Sequence, residues 1–220
     1  MTEVLDCGCA FGQHASGARH RVYRCVRHTR QCPVQNIFTE KKYSNMGVLA
    51  EETQHVAELE RNIGLPPEVT AGHLIEFGAG VSPYTKMVRD RGYSYTAVDS
   101  SSWACSYMRE HHAVEAHCCN IDQFEPTQQY DVALAAHVLE HVTDAPSTLA
   151  KFNQVLVPGG SLYLIIPDDQ DLMNQDHNWF FTVAAMTTML AEYGFDVERY
   201  SVEKIVPQED FIYCLARKTT

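Results

Sequence analysis

LIEFGAGVSPYTKMVRDRG, residues 74–92, decides how the chain is read. A short apolar run ends near an acid, Glu76, breaks into a turn of small residues and restarts with helical spacing, which is how a strand hands over to a nucleotide-binding loop. Gly78 and Gly80 fall at the end of the strand, where missing Cβ atoms let the backbone turn tightly and approach a ligand. Ser82 is expected to cap the next helix, with Pro83 at its first position. Alone, the pattern also fits an ordinary strand-to-helix turn.

Outward from this stretch the chain alternates. HLIEFG reads as a strand, SPYTKMVRDRG as a helix, YSYTAVDS as a strand, SWACSYMREHH as a helix and VEAHCCN as a strand. QYDVALAAHVL (strand), DAPSTLAKFNQVL (helix) and GSLYLIIP (strand) continue the series. Strands and helices at this spacing predict right-handed crossovers and an α/β, doubly wound, mostly parallel sheet. The end differs: FTVAAMTTMLAEYGF reads as a helix, and DVERYSVEKI and DFIYCLARK as an antiparallel hairpin at one edge. Before the alternation, residues 45–64 carry Val48, Leu49, Val56, Leu59 and Ile63 at helical spacing, stopped by Gly64-Leu65-Pro66-Pro67. Residues 1–42 lack periodicity and form a Cys/His-rich appendage, with the main domain over 43–220.

AVDSS places Asp99 at the end of the second strand, nineteen residues past Gly80. A carboxylate there can accept both ribose hydroxyls. The dinucleotide fingerprint needs a third small residue three positions after Gly80, and Pro83 stands there, so a pyrophosphate cradle is poorly specified. Glu76 points a negative charge toward the loop, which suits an ammonium or sulfonium ligand better than a diphosphate.

From about residue 44 onward the sequence resembles the class I S-adenosylmethionine-dependent methyltransferases. EFGAG, AVDSS, CNIDQFEPTQQYDVALAAHVLEHV, LVPGGSLYLIIP and HNWFFT carry the resemblance in order, and the LEHV segment after the fourth strand is similar to a small-molecule subgroup. The resemblance implies a seven-stranded Rossmann-like sheet. It also implies that Glu76, Gly78 and Gly80 lie under the amino-acid half of S-adenosylmethionine, that Asp99 holds the ribose with Ser100 beside it, and that Asn120 and Ile121 flank the adenine. Asn120 stands where the family often has Asp. His137 would approach the methionine end, with Val138 and Leu139 lining the pocket.

Methyl transfer from a sulfonium is an in-line displacement with an activated leaving group, so alignment and desolvation supply much of the catalysis. A base is needed when the acceptor is a hydroxyl or a protonated amine. The candidates are His141 and His177. His177 falls where the resembled subgroup places an active-site histidine before an aromatic run; the bland alternatives are a helix cap for His177 and loop packing for His141. Trp179, Phe180 and Phe181 could wall off the acceptor. Trp103, Met108 and Phe152 read as core, Asp131 as a pin at its strand's start, Glu140 and His141 as the opening of a helix, and Pro158-Gly159-Gly160 as a turn.

The chain has 220 residues, 45% of them hydrophobic, enough for one well-buried domain and a small appendage. The net charge of −11 is split: residues 1–42 carry +4 and the remainder −15. An acidic body disfavours nucleic acid as a partner, although Arg19, Arg21, Arg24, Arg27 and Arg30 make one basic segment. The strongest apolar stretch, LYLII at 162–166, is too short to span a bilayer, and a soluble cytoplasmic protein is expected. Four of the eight cysteines, Cys7, Cys9, Cys25 and Cys32, fall in the first 32 residues. Together, or with His28 replacing one, they match the donor set of a structural Zn²⁺, against which stand free thiols on an arm over the cleft; His14 and His20 are further candidates.

The function expected is S-adenosylmethionine-dependent methyl transfer to a small-molecule acceptor such as a sugar, polyketide or quinone precursor. The alternatives are an RNA or protein acceptor recruited by the basic appendage, and a non-catalytic binding protein of the same fold.

Overall fold

The computed structural model describes residues 11–14, 22–25, 72–168, 177–206 and 209–219. The helix expected over 45–64 lies outside these residues, as do Cys7, Cys9, His20, His28 and Cys32.

A seven-stranded sheet forms the body. Its strands are β3 (Gly72–Phe77), β4 (Tyr93–Asp99), β5 (Glu115–Cys118), β6 (Tyr130–Ala136), β7 (Leu156–Pro167), β9 (Phe195–Val206) and β10 (Glu209–Lys218). They lie in the order β5-β4-β3-β6-β7-β10-β9. The first five are parallel, with Leu74 opposite Tyr95 on one side of β3 and Val132 on the other. The last two form the expected antiparallel edge, with Tyr213 between Ile165 and Ser201. The chain runs outward from β3 to β5 and then crosses to β6. Its direction of growth therefore reverses between β3 and β6, and a parallel sheet opens a crevice for ligands at the carboxyl edge of such a pair.

Both faces of the sheet are covered, which is why β3 and β7 read as near-continuous apolar runs. On one face Ile75, Phe77, Ala133, Leu164 and Ile212 pack under α3 (Ala145–Val155) and α4 (Val183–Glu192). On the other, Leu74, Tyr95, Leu134, Ile165 and Tyr213 pack under α1 (Thr85–Asp90) and α2 (Ser102–His112). Met108 and Phe152 are core as expected, both with no exposed surface. Trp103 is not: it is only half-buried and stacks on Tyr107, one turn along the same helix, with ring centroids 5.5 Å apart.

Three local expectations are corrected. Helix α1 begins at Thr85, so Pro83 lies in the turn before it rather than at its first position; Ser82 Oγ still accepts the Tyr84 amide at 3.3 Å while donating to Glu76. No helix opens at Glu140 and His141; the helix that follows starts at Ala145, where Asp144 accepts from the Ser147 amide at 3.2 Å. Pro158-Gly159-Gly160 lies within β7 at a bulge, where the register against β6 jumps from Tyr130–Leu156 to Val132–Ser161. Asp131 does act as a pin, accepting the His73 amide at 2.8 Å and so tying the starts of β3 and β6.

A second sheet, too short to be visible in the sequence, joins β1 (Phe11–His14), β2 (Val22–Cys25) and β8 (Trp179–Phe180) in the order β1-β2-β8. Through it the amino-terminal segment pairs with the main body, Tyr23 opposite Phe180 and Arg24 opposite Trp179. The side chain of Cys25 lies outside the described structure. Among the described residues no helix is long and apolar enough to cross a membrane.

Candidate active site

The loop after β3 is built around two left-handed glycines, Gly78 at φ 65° and Gly80 at φ 54°. Gly78 is exposed while its neighbours Phe77 and Ala79 are buried, so the backbone itself forms the surface here. A Cβ at Gly78 would stand 2.4 Å from Val138 Cγ2, which shows how tightly this loop presses on the end of β6. Asp99 closes the loop from β4: Oδ2 accepts the Gly80 amide at 2.8 Å and Oδ1 the Ser101 amide at 2.7 Å. Each oxygen keeps a second lone pair for a ligand hydroxyl. Burial pushes the Asp99 carboxyl up, against the two amides that favour its charged form.

Glu76 is fully enclosed beneath the loop. Ser82 Oγ donates to Glu76 Oε2 at 2.6 Å, and the Tyr95 hydroxyl donates to the same oxygen. Desolvation dominates over these two bonds, with Asp99 adding like-charge repulsion, and lifts the carboxyl from 4.5 to about 7. A group so poised gains from a cation brought to the loop.

The remaining candidates for the cofactor side divide by exposure. Ser100 and Asn120 are exposed and Ile121 is half-buried, at the ends of β4 and β5. The Cys119 amide donates to Asp99 O at 3.0 Å, tying the two strand ends into one rim. Leu139, 1% exposed, belongs to the hydrophobic core together with Val138.

Across the loop from Asp99, three imidazoles gather around one carboxylate. His137 leaves β6 in the left-handed region at φ 56°, its amide held by Ile165 O at 2.8 Å. Its Nδ1 lies 3.4 Å from Glu140 Oε1, and His141 Nε2 lies 3.9 Å from the same oxygen. The rings of His141 and His177 stand 5.0 Å apart at 74°. Burial pushes the Glu140 carboxyl up, but the imidazoles of His137, His141 and His177 outweigh it and hold the group below the usual carboxylate range. His177 is no helix cap: that role at α4 falls to Thr182, whose hydroxyl accepts the Ala185 amide at 3.2 Å.

Backbone contacts fix this cluster. Glu140 O accepts the amides of Asn178 at 2.7 Å and Trp179 at 3.1 Å. Asn178 Nδ2 donates to His141 O at 2.7 Å, and Trp179 Nε1 to Val142 O at 3.0 Å. Sequence reasoning missed Glu140 as the centre. The available signal was the 137, 140, 141 spacing of titratable groups just where a buried strand ends.

A family model described as a methyltransferase domain matches residues 49–200. The chain belongs to this family. Among curated proteins, the methyltransferase domain is 28% identical over 112 residues to a ubiquinone biosynthesis O-methyltransferase of Bradyrhizobium sp. (strain ORS 278), covering 47% of this chain and 43% of the relative. It is 27% identical over 103 residues to a malonyl-[acyl-carrier protein] O-methyltransferase of Serratia marcescens, covering 46% and 40%. The matched span is thus less than half the length of these relatives.

Solved structures share the fold of the methyltransferase domain over more of its length. The Burkholderia thailandensis 1,6-didemethyltoxoflavin-N1-methyltransferase, solved with bound 1,6-didemethyltoxoflavin and S-adenosylhomocysteine, aligns with TM-score 0.69 at 18% identity, covering 100% of this chain and 99% of that one. The N-methyltransferase NodS of Bradyrhizobium japonicum WM9 aligns with TM-score 0.65 at 18% identity, covering 78% and 98%.

Proposed function

We propose that the chain is an S-adenosylmethionine-dependent methyltransferase acting on a small molecule, with a hydroxyl of a quinone-like or other compact acceptor as the methylated group. The observation that carries the cofactor half is Asp99, which spans the Gly80 and Ser101 amides and retains lone pairs for a ribose. Glu76, Gly78, Gly80, Asp99, Ser100, Asn120 and Ile121 would hold S-adenosylmethionine, and the buried Glu76, whose carboxyl is lifted to about 7, becomes a counter-charge to its sulfonium or ammonium once the cation displaces the proton. When bound, the cofactor supplies an activated methyl group on a sulfonium.

The chain's own part is alignment, exclusion of water and removal of a proton. The acceptor's proton passes to an imidazole nitrogen of the cluster formed by His137, His141 and His177. His137, 38% exposed on its side chain and backed by the fully buried Glu140, is the imidazole that solvent reaches most readily. It joins the sequence-based candidates His141 and His177 in this role. The hydroxyl acceptor is supported by the O-methyltransferases among the curated relatives. The acidic body favours a small acceptor over nucleic acid.

Calorimetry with S-adenosylmethionine tests the cofactor half. We expect binding that Asp99→Ala weakens by about tenfold or more, the equivalent of losing a hydrogen bond to a charged group. Absence of binding at millimolar cofactor would overturn the reading.

A further inference from the structure

We infer that Glu140, His141 and His177 form a binding site for a divalent transition-metal cation, such as Mn²⁺, Fe²⁺ or Zn²⁺. One ligand atom from each residue lies within 4.8 Å of the others. Two imidazoles and one carboxylate are the donor set of borderline divalent ions, and three protein ligands leave further coordination positions open to oxygen. Adjacent ligands around such an ion stand about 3 Å apart, so inward shifts on the order of an ångström close the site.

The Glu140 carboxylate supplies the second observation. It is 0% exposed, and among the described residues neither oxygen receives a hydrogen bond. A buried carboxylate is ordinarily paired and hydrogen-bonded or bound to a metal, because its lone pairs have lost water. The nearest imidazole nitrogens, His137 Nδ1 at 3.4 Å and His141 Nε2 at 3.9 Å from Oε1, stand too far for good hydrogen bonds, and of the two it is His141 that lies with His177 close enough to Glu140 to share an ion.

The scaffold is also made for fixed ligands. Glu140 and His141 sit on one segment and His177 on another. Four hydrogen bonds from Asn178 and Trp179 to the Glu140, His141 and Val142 carbonyls clamp the two together. Metal sites depend on such support for ligand orientation. The competing explanation is a protonated imidazole that neutralises Glu140 without an ion. The inference stands on this geometry; with an ion on His141 and His177, the role of receiving the acceptor's proton falls to His137.

The test is titration of the full, metal-stripped chain with Mn²⁺, following the free-ion signal by electron paramagnetic resonance. Mn²⁺ prefers nitrogen and oxygen over thiolates, which separates this site from the amino-terminal cysteines. We expect one Mn²⁺ per chain, weakened by about tenfold or more in His141→Ala and in His177→Ala, and unchanged when Cys7, Cys9, Cys25 and Cys32 are all replaced by Ser. Glu140→Gln should abolish binding. Should that variant not fold, the two histidine variants decide, with retained S-adenosylhomocysteine affinity as the check on their integrity. Lack of Mn²⁺ binding at millimolar concentration, binding indifferent to both histidine variants, or binding lost with the cysteines would overturn the inference. Calorimetry with S-adenosylhomocysteine on the same samples keeps the two readings apart: a chain that binds S-adenosylhomocysteine but no Mn²⁺ refutes the metal site alone.

Discussion

Glu76 shows how one residue can link cofactor binding to pH. Its carboxyl titrates near 4.5 when the chain is unfolded and at about 7 beneath the glycine loop. The folded state therefore holds the proton more tightly. The stabilisation this gives is complete below pH 4.5 and is lost as pH rises through 7. Over that window the ligand-free protein should lose roughly 3 kcal/mol of stability, and Glu76→Gln should flatten the dependence, as chemical denaturation at several pH values would reveal. Cofactor affinity should run the other way. A cationic ligand favours the carboxylate and expels the proton, so affinity climbs with pH and levels off above about 7, and calorimetry across that range would register the change. The acid before the glycines was legible in the sequence. Its burial was not, because that depends on Tyr95 from the neighbouring strand and on Ser82, which local rules assign to a helix cap.

Among the elements, the strands were the most legible and the short connections the least. Leu74 to Phe77 and Leu162 to Ile166 are buried on both faces, so their apolar runs had one reading. The two-residue β8 had no periodicity to show and exists through its partner β2. Helix α3 illustrates a boundary set by a single side chain. Asp144 accepts the Ser147 amide at 3.2 Å and the Ser147 hydroxyl at 2.9 Å, which starts the helix there rather than at Glu140. Asp144→Ala should lower stability by about 1 kcal/mol, measurable by urea unfolding, while Asp144→Asn should recover most of the loss. Freed from the helix, residues 137–142 can turn inward and place Glu140 among imidazoles. The sequence offered the spacing of these groups but not their convergence, since His177 arrives from another segment.

At the level of the whole molecule, the sheet order decides where ligands meet. Growth of the sheet reverses between β3 and β6, and the glycine loop and the segment bearing His137, Glu140 and His141 follow the ends of these two strands, meeting at Gly78 and Val138. A ligand that bridges these strand ends should stabilise the fold as a unit. With S-adenosylhomocysteine at a hundred times its dissociation constant, stability should rise by about 2.7 kcal/mol, read as a single shifted transition in calorimetric unfolding. Two separate transitions would contradict a unit that melts together. The two tryptophans stand in unlike surroundings. Trp179 is sealed, 1% exposed, with its indole N–H on Val142 O, next to the histidines; Trp103 is half-exposed on the helix that follows Asp99. The chain thus carries two natural fluorophores in different environments. Emission from the sealed Trp179 should lie to the blue of that from Trp103 and resist a soluble quencher, so that fluorescence can follow the histidine side and the helix after Asp99 without a label.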